Sequence, residues 1–493
     1  MDPVGSGDES SMQDDLLVDS REIADDDHEG PVFIDTNEAV EVDVDLEHEP
    51  MDDDDDDGAA VTQVGTEEKT DSYTAKAVVD MAKYVLSSHT GPIYSTASIR
   101  TAESIVIASG GGDDMAFLHT ISTNQGFPTT TTQELTPPNH THTDTITAVA
   151  FNSSTLPAVL ATGCYDGTIQ LWDVKEEDAK TVAVHVRQLD GPSDIEWLTW
   201  HPNGGTVLLA GSTDGTVWMW FVPTGKCLQV FVGHSGDTTA GSFTPDGKFA
   251  VTSGVDGTLR IWAPKTGICK YTFGKPYAGG TSGGERFAEG ALTCMAMSDD
   301  IENQFAAVGC EDGAAWIVHL TNKKVLGCLH HYIPSTQQDY FMQDDDTADA
   351  ESRSIEAVGF APHSLNVKWF ATAGVDGVLK IWDTTSNQCR QTCFLATAGG
   401  AAAGVTRLLW HTSLPLIYSA ASDGVIRLWD AKSGRCLTTL TGHSDTINDL
   451  SIIFGDGTIQ RPDLIIAGSD DNSVRIFEVN VAECMVSNYA IVS

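Results

Sequence analysis

The sequence predicts an all-β fold, a β-propeller of eight blades, because one short turn-and-strand pattern occurs eight times at a blade-sized period. Five copies are strong: YDGTIQLWD at 165–173, TDGTVWMW at 213–220, VDGTLRIW at 255–262, VDGVLKIWD at 375–383 and SDGVIRLWD at 422–430. Three are weaker: DDMAFLH from Asp113, DGAAWIV from Asp312 and DNSVRIF from Asp471. Asp-Gly favours a tight hairpin turn, and the alternating apolar residues after it favour a half-buried strand.

The turn aspartates set the period of the repeat. They lie 42 to 64 residues apart and are Asp113, Asp166, Asp214, Asp256, Asp312, Asp376, Asp423 and Asp471. A period in the forties with a Trp-Asp ending is typical of WD repeats, each of which forms a four-stranded blade. Because three copies lack the terminal Trp, a seven-bladed ring is the alternative. We expect His142, His234 and His443 to hydrogen-bond the turn Asp of their blades as scaffold.

The chain divides by composition into a tail and a propeller. Residues 1–75 are acidic, with an unbroken Asp run at 52–57 and few aromatic residues, so they predict a disordered tail. Residues 76–493 contain the propeller. We expect a strand near 81–89 to pair into the last blade and close the ring, which removes an exposed sheet edge. Two insertions, 275–290 and 333–353, stretch the period, and their roles stay open.

Several function classes are disfavoured by what the chain carries. Its ten cysteines include no CxxC pair, and no apolar run approaches the ~18 residues needed to span a bilayer. We expect the protein to be a monomer that does not bind membranes. We expect it in a reducing compartment, the cytoplasm, with the nucleus as a second location. No nucleophile–base pair or metal-ligand spacing stands out, and the glycine cluster GTSGG lacks the Lys-Ser/Thr of a phosphate loop. The sequence therefore predicts no enzyme and no cofactor.

The charge is strongly negative. The formal net charge is −44, and residues 1–80 contain 28 acidic and 3 basic side chains. The remaining residues contain 43 acidic and 24 basic side chains, so the propeller itself is anionic. Such a field favours a basic polypeptide as partner and disfavours direct binding of nucleic acid. Solubility alone is the other interpretation of the same charge.

Carboxylates are concentrated in the segments by which propellers bind partners. These are the loop leading into each inner strand and the residue before each turn Asp, and their carboxylates are Asp144, Asp194, Glu196, Asp237, Glu289, Glu311, Glu356, Asp445, Asp449 and Asp470. Converging carboxylates would accept Arg and Lys side chains of a partner. Asp237 and Asp445 are equally suited to capping their own loops. Trp197 offers a surface for stacking a guanidinium, with burial in the core as the favoured alternative.

A family resemblance adds a more specific hypothesis. Residues 194–227, DIEWLTWHPNGGTVLLAGSTDGTVWMWFVPTGKC, resemble the third repeat of the angio-associated migratory cell protein family, and residues 422–450 and the acidic N-terminus also fit. The resemblance covers the chain from about residue 80 onward, whereas the length of the N-terminal tail and the two insertions depart from the family. The fungal type in this group is a dedicated chaperone of a large-subunit ribosomal protein (L-ten, also called uL-sixteen).

What the resemblance implies is a cytosolic escort. Its eight-bladed propeller would hold the client's basic N-terminal segment on an acidic rim until the client joins the pre-ribosomal large subunit. Two alternatives stay open: an escort of histones or other basic proteins, and a general signalling or cell-migration scaffold. A receptor of a cullin ubiquitin ligase is disfavoured, since the continuations WDVK, WDTT and WDAK lack its Trp-Asp-x-Arg ending.

Overall fold

The computed structural model describes residues 79–122, 129–138, 141–177, 180–274, 287–288, 290–332, 353–394, 403–455 and 461–489. The chain divides into two units, residues 1–77 and 78–493, and every described residue belongs to the second. The predicted disordered tail lies outside the described residues, as do Glu289 and most of both insertions.

The described residues form eight antiparallel sheets of four strands, which confirms the eight-bladed propeller and excludes the seven-bladed alternative. Blade 1 contains β2 (Ile93–Arg100), β3 (Ser104–Gly111), β4 (Ala116–Ser122) and β5 (Thr129–Glu134). Blade 2 contains β6 (Ile146–Phe151), β7 (Ala158–Cys164), β8 (Thr168–Glu177) and β9 (Lys180–Asp190). Blade 3 contains β10 (Ile195–Trp200), β11 (Val207–Ser212), β12 (Thr216–Phe221) and β13 (Lys226–Val232). Blade 4 contains β14 (Thr238–Phe243), β15 (Ala250–Gly254), β16 (Leu259–Trp262) and β17 (Cys269–Phe273).

The second half of the chain repeats this order. Blade 5 contains β18 (Leu292–Met297), β19 (Phe305–Cys310), β20 (Ala314–His319) and β21 (Lys324–His330). Blade 6 contains β22 (Ile355–Phe360), β23 (Trp369–Gly374), β24 (Val378–Asp383) and β25 (Gln388–Phe394). Blade 7 contains β26 (Val405–Trp410), β27 (Leu416–Ala421), β28 (Ile426–Asp430) and β29 (Arg435–Leu440). Blade 8 contains β30 (Ile447–Ile453), β31 (Asp463–Ser469), β32 (Val474–Val479) and β1 (Tyr84–Leu86).

The eighth blade takes its outer strand from the other end of the fold. Strand β1 lies in the segment 81–89 and pairs antiparallel with β32, with Tyr84 opposite Ile476 and Leu86 opposite Val474. A helix, α1 (Val481–Tyr489), follows β32, and a short 3-10 helix spans His363–Leu365. Among the described residues, no helix is long and apolar enough to cross a bilayer.

The innermost strands form the wall of a central channel. The first strand of each blade contacts the first strands of the two neighbouring blades all the way around the ring, and β30 contacts β2. Because the sheets are antiparallel, every first strand starts on the same side of the ring, and every turn Asp lies on that side too. We call this side the mouth face and the opposite side the far face.

The turn aspartates fasten the blades through buried hydrogen bonds. In blade 4, His234 Nδ1 lies 3.1 Å from Asp256 Oδ1, and His234 Nε2 lies 2.8 Å from Thr252 Oγ1. The same hydroxyl accepts a hydrogen bond from Trp262 Nε1 at 2.8 Å. Burial works to raise the pKa of Asp256, but the hydrogen bonds from His234, Thr258 and the Ser235 N–H outweigh it and hold the pKa well below its usual range.

Two other blades use a histidine in the same way: His89 and His443 lie 2.9 Å from Asp113 and Asp471. The expected direct bond of His142 to Asp166 is not formed, because His142 lies 3.8 Å from that carboxylate and bonds Thr168, which in turn donates to Asp166. His331 lies 3.4 Å from Asp376 and bonds Thr372 at 2.7 Å. The sequence pattern did not indicate His89 or His331. His331 is separated from its blade by an insertion, and His89 precedes the weakest repeat. In blades 3, 5 and 7 the turn Asp accepts the N–H two residues later, at 2.8 to 3.1 Å.

Candidate functional site

Every inner strand carries a β-bulge at its second residue. The pairing of each first strand with the second strand skips one position there. A bulge re-aims the side chain of the extra residue. The eight bulge residues, all at the mouth face, are Tyr94, Thr147, Glu196, Thr239, Thr293, Glu356, Thr406 and Asn448.

Six of the bulge residues line a cavity of about 450 Å³ at the mouth of the channel. Thr145, Tyr165 and Arg407 complete the lining, so the cavity draws residues from six blades. The sequence prediction named Glu196 and Glu356 but missed the other lining residues. The sequence does contain a signal that could have located these residues, because every bulge residue lies 17 to 23 positions before the turn Asp of its blade.

Four bulge side chains tie neighbouring blades together. The hydroxyls of Thr147, Thr293 and Thr406 donate to the backbone oxygen of the first inner-strand residue in the next blade: Ile195, Ile355 and Ile447 respectively. Asn448 Nδ2 donates in the same way to Ile93 O, at 3.1 Å, across the junction of blades 8 and 1. We call these four hydrogen bonds the staples. They hold inner strands that share no backbone ladder.

Blades 3 and 6 have a glutamate at this position instead. The Glu196 carboxylate accepts a hydrogen bond from the Tyr165 hydroxyl at 3.2 Å. Burial raises the pKa of Glu196, and the negative charges of Asp237 and Asp194 add to that effect. Glu356 lines the same cavity and is half-buried. Partly desolvated carboxylates favour charge-assisted hydrogen bonds with a cation, and a guanidinium can provide two at once.

Trp197 belongs to the scaffold of the site. Its Nε1 donates to Thr238 O at 2.9 Å, so in blade 3 the indole makes the link to the next blade. The ring lies across Gly211 and Gly241, where an added Cβ would come within 2.2 and 1.9 Å of it. This placement favours packing between blades 3 and 4 over stacking on a partner's guanidinium.

The predicted carboxylates of the mouth face divide into two groups, and those that cap their own loops form the first. Asp144 and Asp445 each accept the N–H of the following threonine, at 2.7 and 2.8 Å. Asp194 has a positive φ of 41° and accepts the Thr213 hydroxyl at 3.1 Å. Loop capping therefore occupies these three carboxylates, which leaves less of their hydrogen-bonding capacity for a partner.

The second group comprises exposed carboxylates and carboxylates between blades. Asp237 and Glu311 are exposed at the mouth face. Asp470 Oδ1 accepts Asn448 Nδ2 at 2.7 Å, which orients a staple. Asp449 Oδ2 accepts the N–H of Thr96 at 2.7 Å, and burial raises the pKa of Asp449. Glu289 lies outside the described residues.

Arg407 is the cation in the cavity lining. Its Nε lies 3.4 Å from Asp449 Oδ1, and about half of its side chain is exposed. The Arg407 guanidinium therefore places a positive charge on one side of the cavity, next to the Asp449 carboxylate.

One group of potential metal ligands was found among the described residues: His142, Cys164 and Asp166, whose ligand atoms lie within 4.8 Å of one another. His142 already bonds Thr168 and Thr162, at 3.2 and 2.9 Å. Burial raises the pKa of the Cys164 thiol to about 12, and a protonated thiol is a poor metal ligand. The three side chains therefore serve the fastening of blade 2.

The repeats match a known family model. The model described as WD domain, G-beta repeat matches residues 132–173, 183–220, 225–263, 352–383, 391–430 and 434–478. With its eight four-stranded sheets, the chain is a WD-repeat β-propeller protein.

Among WD-repeat proteins, sequence comparison identifies a more specific relative. The chain is 29% identical over 401 residues to the angio-associated migratory cell protein of Homo sapiens, covering 81% of this chain and 80% of that protein. This chain is homologous to angio-associated migratory cell protein, and the resemblance predicted from residues 194–227 is confirmed.

Two solved structures share the fold. Sqt1 of Saccharomyces cerevisiae superposes with a TM-score of 0.66 at 18% identity, covering 81% of this chain and 99% of that one. Sqt1 of Chaetomium thermophilum, solved bound to the N-terminus of the ribosomal protein L10, gives a TM-score of 0.64 at 21% identity, covering 81% of this chain and 100% of that one.

Proposed function

We propose that this protein is a non-enzymatic chaperone that holds the basic N-terminal segment of a newly made large-subunit ribosomal protein. The observation that carries the proposal is the pair of glutamates, Glu196 and Glu356, which replace stapling residues at the channel mouth and line one cavity. The L10 N-terminus bound to the Chaetomium thermophilum protein, which shares this fold, supports the choice of client.

The chemistry of capture is electrostatic and reversible. A charge-assisted hydrogen bond contributes about 1.5–3 kcal/mol, so two or three arginines of the client give useful affinity. Exposed charges are screened beyond ~8 Å at physiological ionic strength, so the contact weakens as salt rises. Ribosomal RNA, with its dense row of phosphates, can then take the client over from the chaperone.

The wider role follows from this capture. The protein acts as a monomer, needs no metal or cofactor, and delivers its client to the pre-ribosomal large subunit from the cytoplasm, with the nucleus as a second location. A WD-repeat propeller is typically a scaffold rather than an enzyme, and its loops recognise partners.

The test replaces both glutamates by lysine. Glu196→Lys with Glu356→Lys should weaken binding of a synthetic arginine-rich peptide by about 100-fold, or about 2.7 kcal/mol. The melting temperature should stay within a few degrees, because neither side chain makes a staple. Fluorescence anisotropy and differential scanning fluorimetry measure the two quantities.

The matched control is Glu176→Lys with Glu302→Lys, two exposed residues of the far face. It changes the net charge equally and should alter affinity by less than about threefold, or about 0.65 kcal/mol. An equal loss in both variants would reject a specific acidic mouth. Equal affinity for a histone-tail peptide of the same charge would favour a general escort of basic proteins, and binding that resists high salt would favour a signalling scaffold.

A further inference from the structure

The basic residues of the propeller are distributed unevenly. Nine exposed cations lie on the far face of blades 3 to 7, at the turns between third and fourth strands or beside them. We call this set the cationic edge: Lys226, Lys265, Lys270, Lys323, Lys324, Lys368, Arg390, Lys432 and Arg435. It contains a large share of the propeller's 24 basic residues, whereas the predicted carboxylates lie at the mouth face.

Two carboxylates near the cationic edge are half-buried or buried, and one of them, Asp383, also lies 3.8 Å from the guanidinium of Arg390. Asp383 accepts the N–H groups of Thr385 and Ser386, both at 3.0 Å, and these bonds lower its pKa. Asp430 is buried and accepts the N–H of Lys432 at 3.0 Å. The acids of this face at the turns between first and second strands lie closer to the channel: Asp299 and Glu302 are exposed and Asp300 is half-buried. Positive charge therefore dominates the outer part of the face.

Blades 8, 1 and 2 show a different distribution. There the far-face cations alternate with acids, as in the contact between Lys175 and Glu177 at 2.9 Å. Lys83 is likewise paired with Glu478. The cationic edge is thus an arc of five blades rather than a feature of the whole ring.

The negative charge at the mouth face does not cancel the positive electrostatic potential at the cationic edge. The strands that separate the two faces in blades 3 to 7 are four to seven residues long. A strand of six residues spans about 20 Å, which is more than two Debye lengths of ~8 Å at physiological ionic strength. A ligand at the far face therefore experiences the local cations more strongly than the net charge of the propeller.

Aromatic rings lie beside these cations. The Arg390 guanidinium lies 4.7 Å from the centre of the Trp369 ring, and Lys323 Nζ lies 5.8 Å from that of Tyr271. Tyr271 is 36% exposed, and exposed Ile268 lies close by in the chain. Cations that follow a curved surface, with aromatic rings among them, are how proteins bind single-stranded nucleic acid.

We propose that the cationic edge binds the phosphate backbone of single-stranded RNA. An arc of point charges over five blades matches a ligand with a regular row of negative charges. This reverses, for the far face alone, the expectation from net charge that nucleic acid is not a direct ligand. The protein then holds its basic client at the mouth face while the far face contacts RNA, so this role of the edge complements the proposed chaperone function without depending on it.

The test measures binding of fluorescent oligouridylate to the full chain by anisotropy over a range of salt concentrations. Lys226→Glu, Lys265→Glu and Lys432→Glu are combined, because these lysines make no ion pair within the described part of the chain. Affinity should fall at least about tenfold, and the slope of log affinity against log salt should decrease by about 2, since each phosphate contact contributes ~0.7.

The control combines Lys83→Glu, Lys175→Glu and Lys180→Glu, which change the net charge equally outside the cationic edge. Oligouridylate affinity should fall less than threefold in this control. Absence of RNA binding by the unmodified chain would overturn the proposal, as would an equal loss in both variants. Binding of polyaspartate without binding of RNA would also overturn it, in favour of an acidic protein partner. Because the edge variant should keep its arginine-peptide affinity, failure here is distinguishable from failure of the proposed function.

Discussion

Blades 5 and 6 place different residues on the same backbone feature. In blade 5 the bulge residue Thr293 donates to Ile355 O and so ties the blade to its neighbour. In blade 6 the bulge residue is Glu356, which lines the cavity at the channel mouth. One position per blade can therefore either stabilise the ring or present a carboxylate to the cavity. A glutamate there makes no staple, and under the proposed function it gains a binding role, a common trade between stability and function.

The largest expected effect concerns Trp197, which links blade 3 to blade 4 although its bulge position is a glutamate. Trp197→Ala should lower the free energy of unfolding by about 3 kcal/mol, because it removes both the packing on two glycines and the hydrogen bond to Thr238 O. Chemical denaturation measures this loss. Trp197→Phe should retain most of the packing and lose about 1 kcal/mol. If Trp197→Ala left stability unchanged but abolished binding of the arginine peptide, the indole would belong to the binding surface instead.

The next largest effect tests whether a bulge position exchanges a stabilising staple for a binding carboxylate. Glu356→Thr should weaken binding of the arginine peptide about tenfold, or about 1.4 kcal/mol, because one carboxylate is lost. The same change should raise the free energy of unfolding by about 1 kcal/mol, since threonine can donate to Val405 O as its counterparts do in other blades. Glu356→Val is the control, with the affinity loss but no hydroxyl to donate to Val405 O. A Glu356→Thr variant no more stable than Glu356→Val would contradict the exchange.

The converse change removes a staple without altering charge. Thr293→Val should lower the free energy of unfolding by about 1–2 kcal/mol, because the oxygen of Ile355 loses its hydrogen bond at similar volume. Peptide affinity should not change, which titration calorimetry would show. Thr293→Ser keeps the hydroxyl and should behave like the unmodified protein. A loss of affinity in the valine variant would mean that the staples also shape the cavity.

The smallest effect is on pH dependence. Because burial raises the pKa of Glu196 above its ordinary value of 4.5, this carboxylate is protonated at a higher pH than an exposed glutamate. Peptide affinity should therefore begin to fall above pH 4.5 as the solution is acidified, and Glu196→Gln should remove that part of the profile. A carboxyl group whose pKa is raised by folding stabilises the folded state only when the carboxyl is protonated. At neutral pH Glu196 is ionised and slightly destabilises the fold, so Glu196→Gln should increase the free energy of unfolding there by less than about 1 kcal/mol. An unchanged profile in Glu196→Gln would assign the titration to another group.

Much of the fold could be predicted because its signal is local. The Asp-Gly turns and the alternating strands after them depend on residues close in sequence, so even the copies without Trp were located correctly. His331 escaped prediction because its partner Asp376 lies beyond an insertion, and His89 because it precedes the weakest repeat. Contacts across such separations are not encoded in a short pattern.

The candidate site was predictable only in part. The carboxylates were expected near the mouth, and Glu196 and Glu356 lie in the cavity lining. The capping of Asp445 by the next residue was one of the two interpretations that the sequence left open. The contact of Asp449 with blade 1 and the link made by Trp197 depend on the neighbouring blade, which periodicity does not specify. The position of the bulge also decides which side chain faces the cavity, and a bulge arises from contacts between strands.

The pairing of β1 with β32 has a consequence for synthesis. Strand β1 is made before the other strands described, yet its partner is the last of them, so the toroid stays open while the ribosome translates nearly everything between. The six lining blades are likewise drawn from both halves of the chain. A partly translated chain therefore lacks the complete channel mouth, so it can bind a partner there only once its own translation is nearly finished.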